Sequence, residues 1–469
     1  MKFLRKLIGY HLALRPSKGN SLSQRMRILN IIRHANENTP FYKGLYDKFL
    51  EHEQNLSDEE FFYAFRHLPI IDEKHLNKSN EEFNSDHLQN RPKLFDEHST
   101  QANIIKKAFI DKDFQTSLPI KTSHEEDTQL SRGVDYEDAN AIIQGALKSF
   151  KENGWKPGEP ITIIAPASSF WTNIQQSHTK QLQRYFGLTV FCFKELDTQT
   201  VQDFIETLKA TKSTLLVASP RVLTRISHIM HNENIEPLEN LTSINVKGEY
   251  FLDCSKSFIQ KMFPDSDIQT SYTSSLCGTI AHQKGLNSFD YNVLDDDFFV
   301  EQGPNNSILI TTYKQRAFPL IRYALNDMGQ IKNNEDGTQT IEFLEGSNSQ
   351  HLVGADGYMY FASYFNHVIN DINKKLHDPI IDFTLRHKQN GDKKSIDLNF
   401  IVQKPEKKDK IKTIALKTIG NVFSNYDKIN INFINEFDHD YTQELKLIEE
   451  CNDTNTFEEA PETLELIAS

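Results

Sequence analysis

Strands that alternate with helices over the first two thirds of the chain predict an α/β fold. The expectation is a large N-terminal domain with mainly parallel sheets covered by helices, followed by a small α+β C-terminal domain. Three observations carry it. Short apolar runs at 161–165, 188–193, 214–218 and 241–247 are separated by stretches of helical periodicity. After Ser307 the texture changes to strands joined by tight turns. The 469 residues, 38% hydrophobic and 25% charged, suffice for more than one core.

Taken in order, residues 22–50 begin as helix, with Met26, Leu29, Ile32 and Ala35 at helical spacing until Pro40 breaks the pattern. A second helix spans 58–66 and stops at Leu68-Pro69, and residues 76–105 are too polar to assign. Helix 137–153 ends in the turn Gly154 to Gly158. Strand 161–165, helix 172–186, strand 188–193, helix 198–211, strand 214–218, a helix opened by Pro220 and strand 241–247 follow. Strand 308–312 precedes a hairpin of 330–332 and 338–343 around Asn333 to Gly337. The small domain carries strands at 379–386, 396–402 and 428–435 and a helix at 409–421. The domains expected are therefore 1–345 and 346–448, with 449–469 an acidic mobile tail.

Composition excludes several classes. A formal net charge of -13 argues against a nucleic-acid binder, which needs clustered cations. Four scattered cysteines without a C-x-x-C pair predict neither zinc site nor disulfide framework, and hence a cytoplasmic protein. No run approaches the ~18 apolar residues of a transmembrane segment. Residues 1–15 are basic and partly apolar, which suits a surface helix, with contact to a membrane periphery as the lesser alternative. Asp295-Asp296-Asp297 is expected to be a solvated turn rather than a metal site, and Cys254 and Cys277 to be buried.

Several segments stand in a recognisable order. They are His34–Tyr42 (HANENTPFY), Leu68–Leu76 (LPIIDEKHL), Ser219-Pro220 after a strand, Gly248-Glu249 after the next, and Leu320–Gly329 (LIRYALNDMG). Over roughly 24–446 this order resembles the phenylacetate–coenzyme A ligase-like branch of the adenylate-forming superfamily, which includes ligase-like proteins of capsule biosynthesis. The resemblance implies activation of a carboxylic acid by ATP as an acyl-adenylate, then transfer to a thiol. Within it, Asp327 matches the aspartate that accepts the ribose hydroxyls and Arg322 its neighbouring arginine. Gly248, Glu249, Tyr272 and Ser274 fall on the nucleotide side of the cleft. Thr122 and Ser123 are what persists of the glycine-rich phosphate loop.

Other equipment departs from the pattern. After Thr122 and Ser123 come His124, Glu125, Glu126 and Asp127, whose carboxylates oppose a triphosphate. That loop reads either as metal-binding or as solvated without ligand. Leu276 stands where the resemblance implies the magnesium glutamate, and it cannot hold a hard cation. Gly346–Gln350 lacks the arginine and aspartate of the hinge, and Glu444 takes the place of the catalytic lysine, with Lys446 two residues on. The resemblance thus implies ATP or AMP as cofactor, with magnesium in doubt and no catalytic residue assigned. Its partners are a small carboxylic acid or acyl thioester, with coenzyme A or a carrier protein as acceptor. Three functions stay open: a repurposed protein with impaired adenylation, an active ATP-dependent ligase, and an ATP-independent acyl transferase.

Overall fold

A computed structural model of the chain describes residues 23–88, 115–120, 130–166, 187–286, 288–347, 350–390, 393–436 and 446–451. They fall into two compact units that divide between Ser349 and Gln350.

The first unit opens with helices α1 (Gln24–Asn38), α2 (Asp47–His52), α3 (Asp58–Arg66) and α4 (Glu73–Ser79). Ser23 caps α1 by accepting from the Met26 N–H. Its end at Thr39 has a direct cause, since Pro40 forces the preceding residue into extended backbone. A capping box of Ser57 and Glu60 starts α3. Strands β1 (Gln115–Ile120) and β2 (Leu130–Asp135) form a separate antiparallel pair that leads into α5 (Tyr136–Glu152).

The main sheet begins with β3 (Ile161–Pro166), β4 (Leu188–Phe193), β5 (Leu215–Ala218), β6 (Ser243–Lys247) and β7 (Asp267–Ser274). They lie in the order 4-3-5-6-7, all parallel. Helices α6 (Thr198–Thr211), α7 (Pro220–Asn232) and α8 (Asp253–Met262) join them. Both faces are covered, so these strands read as continuous apolar runs. Side chains still alternate: Ile164, Leu216 and Ala218 pack with α6–α8, whereas Ile161, Ile163, Leu215 and Val217 pack with Phe150 and Trp155 at the end of α5.

From β7 the sheet continues antiparallel. It adds β8 (Gly278–Gln283), β9 (Tyr291–Val293), β10 (Phe298–Gln302), β11 (Ser307–Thr312), β12 (Tyr323–Asn333) and β13 (Gln339–Ser347), in the order 7-8-9-13-12-11-10. Phe61, Phe65, Phe83 and Tyr42 of the N-terminal segment share a core with Phe299, Ile310, Phe318 and Ile341 of this half.

One buried polar knot joins the pieces. Arg132 of β2 is almost fully buried and donates to Asp138 in the first turn of α5 at 2.9 Å. It also donates to Gln315 at 3.0 Å and to the Leu276 carbonyl, and lies over the Phe318 ring. Asp138 in turn accepts from the backbone N–H groups of Arg316 and Ala317. Burial pushes its carboxyl up to about 7, against the pull of Arg132.

The second unit contains the hairpin β14 (His351–Val353) and β15 (Met359–Phe361), then α9 (Ala362–Leu376). Strands β16 (Ile380–Asn390) and β17 (Lys393–Val402), helix α10 (Lys408–Val422), and strands β18 (Lys428–Ile434) and β19 (Ile448–Cys451) complete it. The sheet order is 18-17-16-19, with both outer strands parallel to their neighbours. Its apolar residues Phe383, Leu385, Ile396, Leu398 and Phe400 are buried, as are Phe365 and Ile369 of α9 and Ile411, Ala415 and Ile419 of α10.

Two expectations need amendment. The acidic tail was to start at residue 449, but β19 pairs with β16 through Cys451, and Glu449 accepts from Arg386 at 3.1 Å. The segment 76–105 contains the end of α4 and short helical turns at 80–83 and 86–88. Helix 172–186 lies outside the described residues, as do residues 1–15. Among the described residues no helix is long and apolar enough to cross a membrane.

Removing one partner of the buried pair leaves the other charge stranded. Asp138→Ala should therefore cost about 3–5 kcal/mol in urea unfolding. Arg132→Met combined with Asp138→Asn keeps acceptors for the two backbone N–H groups and should recover more than half of that loss.

Candidate functional site

Parallel sheets present their ligand sites at the carboxyl ends of the strands. Here those ends carry Ser219-Pro220 after β5, Gly248-Glu249 after β6, and Tyr272 near the end of β7. Lys247 pairs with Ser271, so Gly248 and Tyr272 lie side by side at that edge. Gly248 has φ +96, and a Cβ there would meet nothing within 4 Å. The left-handed turn and the open space both suit close approach of a ligand to the backbone.

Asp327 reaches the same place from the antiparallel half. The register between β11 and β12 shifts: Ser307 pairs with Met328, whereas Leu309 pairs with Ala324. Leu325, Asn326 and Asp327 thus stand opposite Ile308 alone, and Asn326 takes φ +64. This bulge takes Asp327 out of the β11 ladder, while on its other side Asp327 pairs with Ser347 of β13. Its Oδ2 accepts a hydrogen bond from the Tyr272 hydroxyl at 2.6 Å. Four strand spacings, about 19 Å on a flat sheet, separate β7 from β12. The short bond therefore requires the antiparallel half to curl back on itself.

Burial pushes the Asp327 carboxyl up to about 6, partly opposed by the Tyr272 hydrogen bond. The Tyr272 phenol is driven well above its ordinary range, first by burial and then by Asp327, so it remains a donor. Tyr291 on β9 packs edge-on to Tyr272 with centroids 6.4 Å apart, and its hydroxyl accepts from Thr270 at 2.8 Å. Sequence reasoning missed Tyr291, which stands in no motif. It also missed Arg132, whose only signal is a lone arginine before Tyr136-Glu137-Asp138.

The other expected residues divide. Ser274 lies in the β7–β8 turn, where its Oγ accepts from the Leu276 N–H at 3.2 Å. Gly278, at φ +84, closes that turn under Ile142 of α5. Leu276 is 5% exposed and belongs to the apolar core, and its carbonyl accepts from Arg132. Arg322 is buried at φ +50, bonded to Glu301 at 3.2 Å and to the Leu68 carbonyl, with Phe65 beneath it. Its guanidinium thus ties the Leu68–Ile71 segment to the sheet. Thr122, Ser123 and the acidic loop to Asp127 connect β1 to β2 but lie outside the described residues, as do Asn348, Ser349 and Glu444. Lys446 is exposed just before β19.

The aspartate run is not a solvated turn. Asp297 is buried and accepts from Lys148 of α5 at 2.9 Å and from Lys314, while Asp296 lies 3.6 Å from Arg27 of α1. The three cations draw these carboxylates into the scaffold. Among the described residues no group of three or more histidine, cysteine or acidic side chains is placed to hold a metal. Cys254 and Cys277 are buried, and burial pushes the Cys277 thiol up to about 12.

This architecture is the fold of an acyl-CoA ligase solved with bound acyl-adenylates. Over 95% of this chain and 92% of that one, the structure superposes on 2-hydroxyisobutyryl-CoA ligase, solved in the postadenylation state in complex with R3-HIB-AMP (TM-score 0.65, 13% identity). The same ligase in complex with 2-HIB-AMP gives a TM-score of 0.63 at 12% identity, over 92% of this chain and 89% of that one. Among curated proteins, indoleacetate–lysine synthetase of Pseudomonas savastanoi is 24% identical over 159 residues, 34% of this chain and 40% of its own length. No family model matches.

The raised Asp327 carboxyl sets a pH signature. An ordinary aspartate titrates near 3.8, so between about pH 4 and 6 the folded chain holds a proton that the unfolded chain has released. Its contribution to stability is complete below that window and is lost as pH rises through 6. Denaturant unfolding of wild type and Asp327→Asn from pH 4 to 7 should show the difference in unfolding free energy shrinking with pH, by on the order of 3 kcal/mol at most. A constant difference would place the carboxyl at its ordinary pKa.

Proposed function

We propose that this chain is a divergent member of the adenylate-forming ligases that binds an adenine nucleotide through Asp327 and has impaired adenylation. The observation that supports it best is the Tyr272–Asp327 pair, set beside Gly248 at the carboxyl edge of the parallel strands. An ionised Asp327 is an acceptor without a proton to give, which matches the two hydroxyls of a ribose. Gly248 leaves room for a flat ligand against the backbone. Glu249 and Ser274 would border the nucleotide, and Thr122 and Ser123 would face its phosphates.

Magnesium fits less well. Leu276 has an apolar side chain packed in the core, and a divalent cation requires oxygen ligands. Removing such a ligand withdraws several kcal/mol of transition-state stabilisation, so nucleotide binding can outlast the chemistry. The nucleotide would then serve binding within a biosynthetic pathway rather than turnover.

An active ligase is the second reading, and the likeness to a synthetase and to a CoA ligase favours it. It would join a small carboxylic acid to ATP and pass the acyl group to coenzyme A or a carrier-protein thiol. An ATP-independent transferase has less support, since the buried Cys277 thiol is held protonated.

Calorimetric titration with AMP and ATP, with and without magnesium, separates these readings. Impaired adenylation predicts AMP binding that does not require magnesium and weakens about 10- to 100-fold in Asp327→Asn, as loss of a charge-assisted hydrogen bond implies. Carboxylate-dependent exchange of pyrophosphate into ATP, abolished by Asp327→Ala, would establish the active ligase instead. Absence of binding by either nucleotide would sink both.

A further inference from the structure

We propose that Lys247, the last residue of β6, holds a carboxylate of the acid that binds beside the nucleotide. The proposal rests on the reading of this sheet edge as the ligand site.

Lys247 is unusual in its sheet. The five parallel strands, β3 to β7, contain two charged residues, Lys247 and Asp267. Asp267 opens β7 at the amino end and is exposed. Lys247 closes β6 at the carboxyl end, the end where such sheets take their ligands, and is half-buried there. Burial lowers its ammonium below the ordinary lysine range. Desolvating a cation costs free energy that an anion can offset, and a cleft residue under that tension is suited to function.

The sheet around it is polar and neutral. Lys247 pairs with Ser271 of β7, and paired residues of neighbouring strands share a face. On that face Asn245 donates to the Ser271 Oγ at 2.8 Å, and the Ser149 hydroxyl of α5 lies 2.5 Å from the same atom. These three buried side chains form a floor without charge one step in from the edge. Past Lys247 the chain turns at Gly248, where a Cβ would meet nothing within 4 Å. Successive residues of a strand point to opposite faces, so Tyr272 stands on the other side of the sheet from Ser271 and Lys247. The edge therefore has two sides. Tyr272 and Asp327 would serve the nucleoside on one, and Lys247 the acid on the other. The two ligands would meet at Gly248, which leaves them room.

The test is carbamoylation by cyanate at about pH 8, which modifies the neutral amine and is read site by site by mass spectrometry. Lys247 should react in the folded protein. Benzoate or succinate should slow that reaction, by about 10-fold at ten times the half-protecting concentration, because only unliganded protein reacts. The exposed Lys374 and Lys410 of the second unit should react at unchanged rates. Protection by benzoate makes the acid's single carboxylate the partner, whereas protection by succinate alone makes it a second acidic group. Equal protection by sodium sulfate at matched ionic strength would reduce the effect to general screening and overturn the proposal. So would a lack of protection by either acid up to its solubility limit, or a Lys247 that reacts only in urea. The protecting acid should also raise the thermal unfolding midpoint of wild type, and Lys247→Met should lose that increase. An increase retained by Lys247→Met would place the acid elsewhere. Calorimetry with AMP keeps the two readings apart. If AMP fails to bind while an acid protects Lys247, the nucleotide is removed and the lysine site stands. If AMP binds while neither acid protects, the lysine site falls alone.

Discussion

The ion pair of Arg132 and Asp138 is the constraint on which the first unit depends. Two charges leave water there, a cost of several kcal/mol each unless geometry and further hydrogen bonds offset it. The further bonds are present: Arg132 reaches Asp138, Gln315 and the Leu276 carbonyl, and Asp138 takes two backbone N–H groups from the 316–317 loop. Together these bonds reach three segments, around Asp138, Leu276 and residues 315–317. The pair therefore fixes the start of α5, the β7–β8 turn and the approach to β12 in one arrangement. Tyr272 lies four residues before the first anchored carbonyl, and Asp327 ten residues after the last anchored amide. Neither candidate site residue touches the knot, yet the positions of both descend from it.

The sheet divides its labour between its two halves. Parallel strands need crossover helices on both faces, which leaves their carboxyl ends as the open edge. Antiparallel strands need only short turns and can bend, which lets β12 return over β7. The bulge opposite Ile308 completes the work by freeing Asp327 from the β11 ladder while β13 still holds it. The half-buried Lys148, Lys314 and Arg27 around Asp296 and Asp297 brace the same half from the side of α1 and α5.

How legible this was depended on the range of the interactions involved. Parallel strands and their helices were readable because period and burial are local properties: the strand at 188–193 and the helix at 198–211 have the bounds that the pattern implies. Helix α9 was not, because Ala362–Leu376 mixes buried Asn366 and Asn373 into its apolar stripe. Asn373 is buried because it donates to the Ile380 carbonyl and accepts from the Ile380 N–H, a tertiary demand invisible in the pattern. The aspartate run misled for a similar reason. Its compensating cations come from 149 and 17 residues away in Lys148 and Lys314. Tyr272 and Asp327 were singled out one by one, through resemblance. That they meet depends on sheet curl, which no short stretch of sequence encodes.

The burial of Leu276 bears on the direction in which the site has diverged. On the proposed reading this position once held a cation ligand. A carboxylate there would now sit in the core shared by Tyr272, Cys277 and Ile280, with its own carbonyl tied to Arg132. Burying an unpaired carboxylate in such surroundings is prohibitive, so restoring the glutamate alone would damage the turn before it recruited a metal. The apolar replacement instead strengthens the packing beneath Tyr272. On that proposed reading Asp327 would stay in place without the cation, because it is held by Tyr272 and by its position in β12 rather than by the β7–β8 turn. The proposal of nucleotide binding without efficient adenylation thus draws on residues that the scaffold itself holds in place.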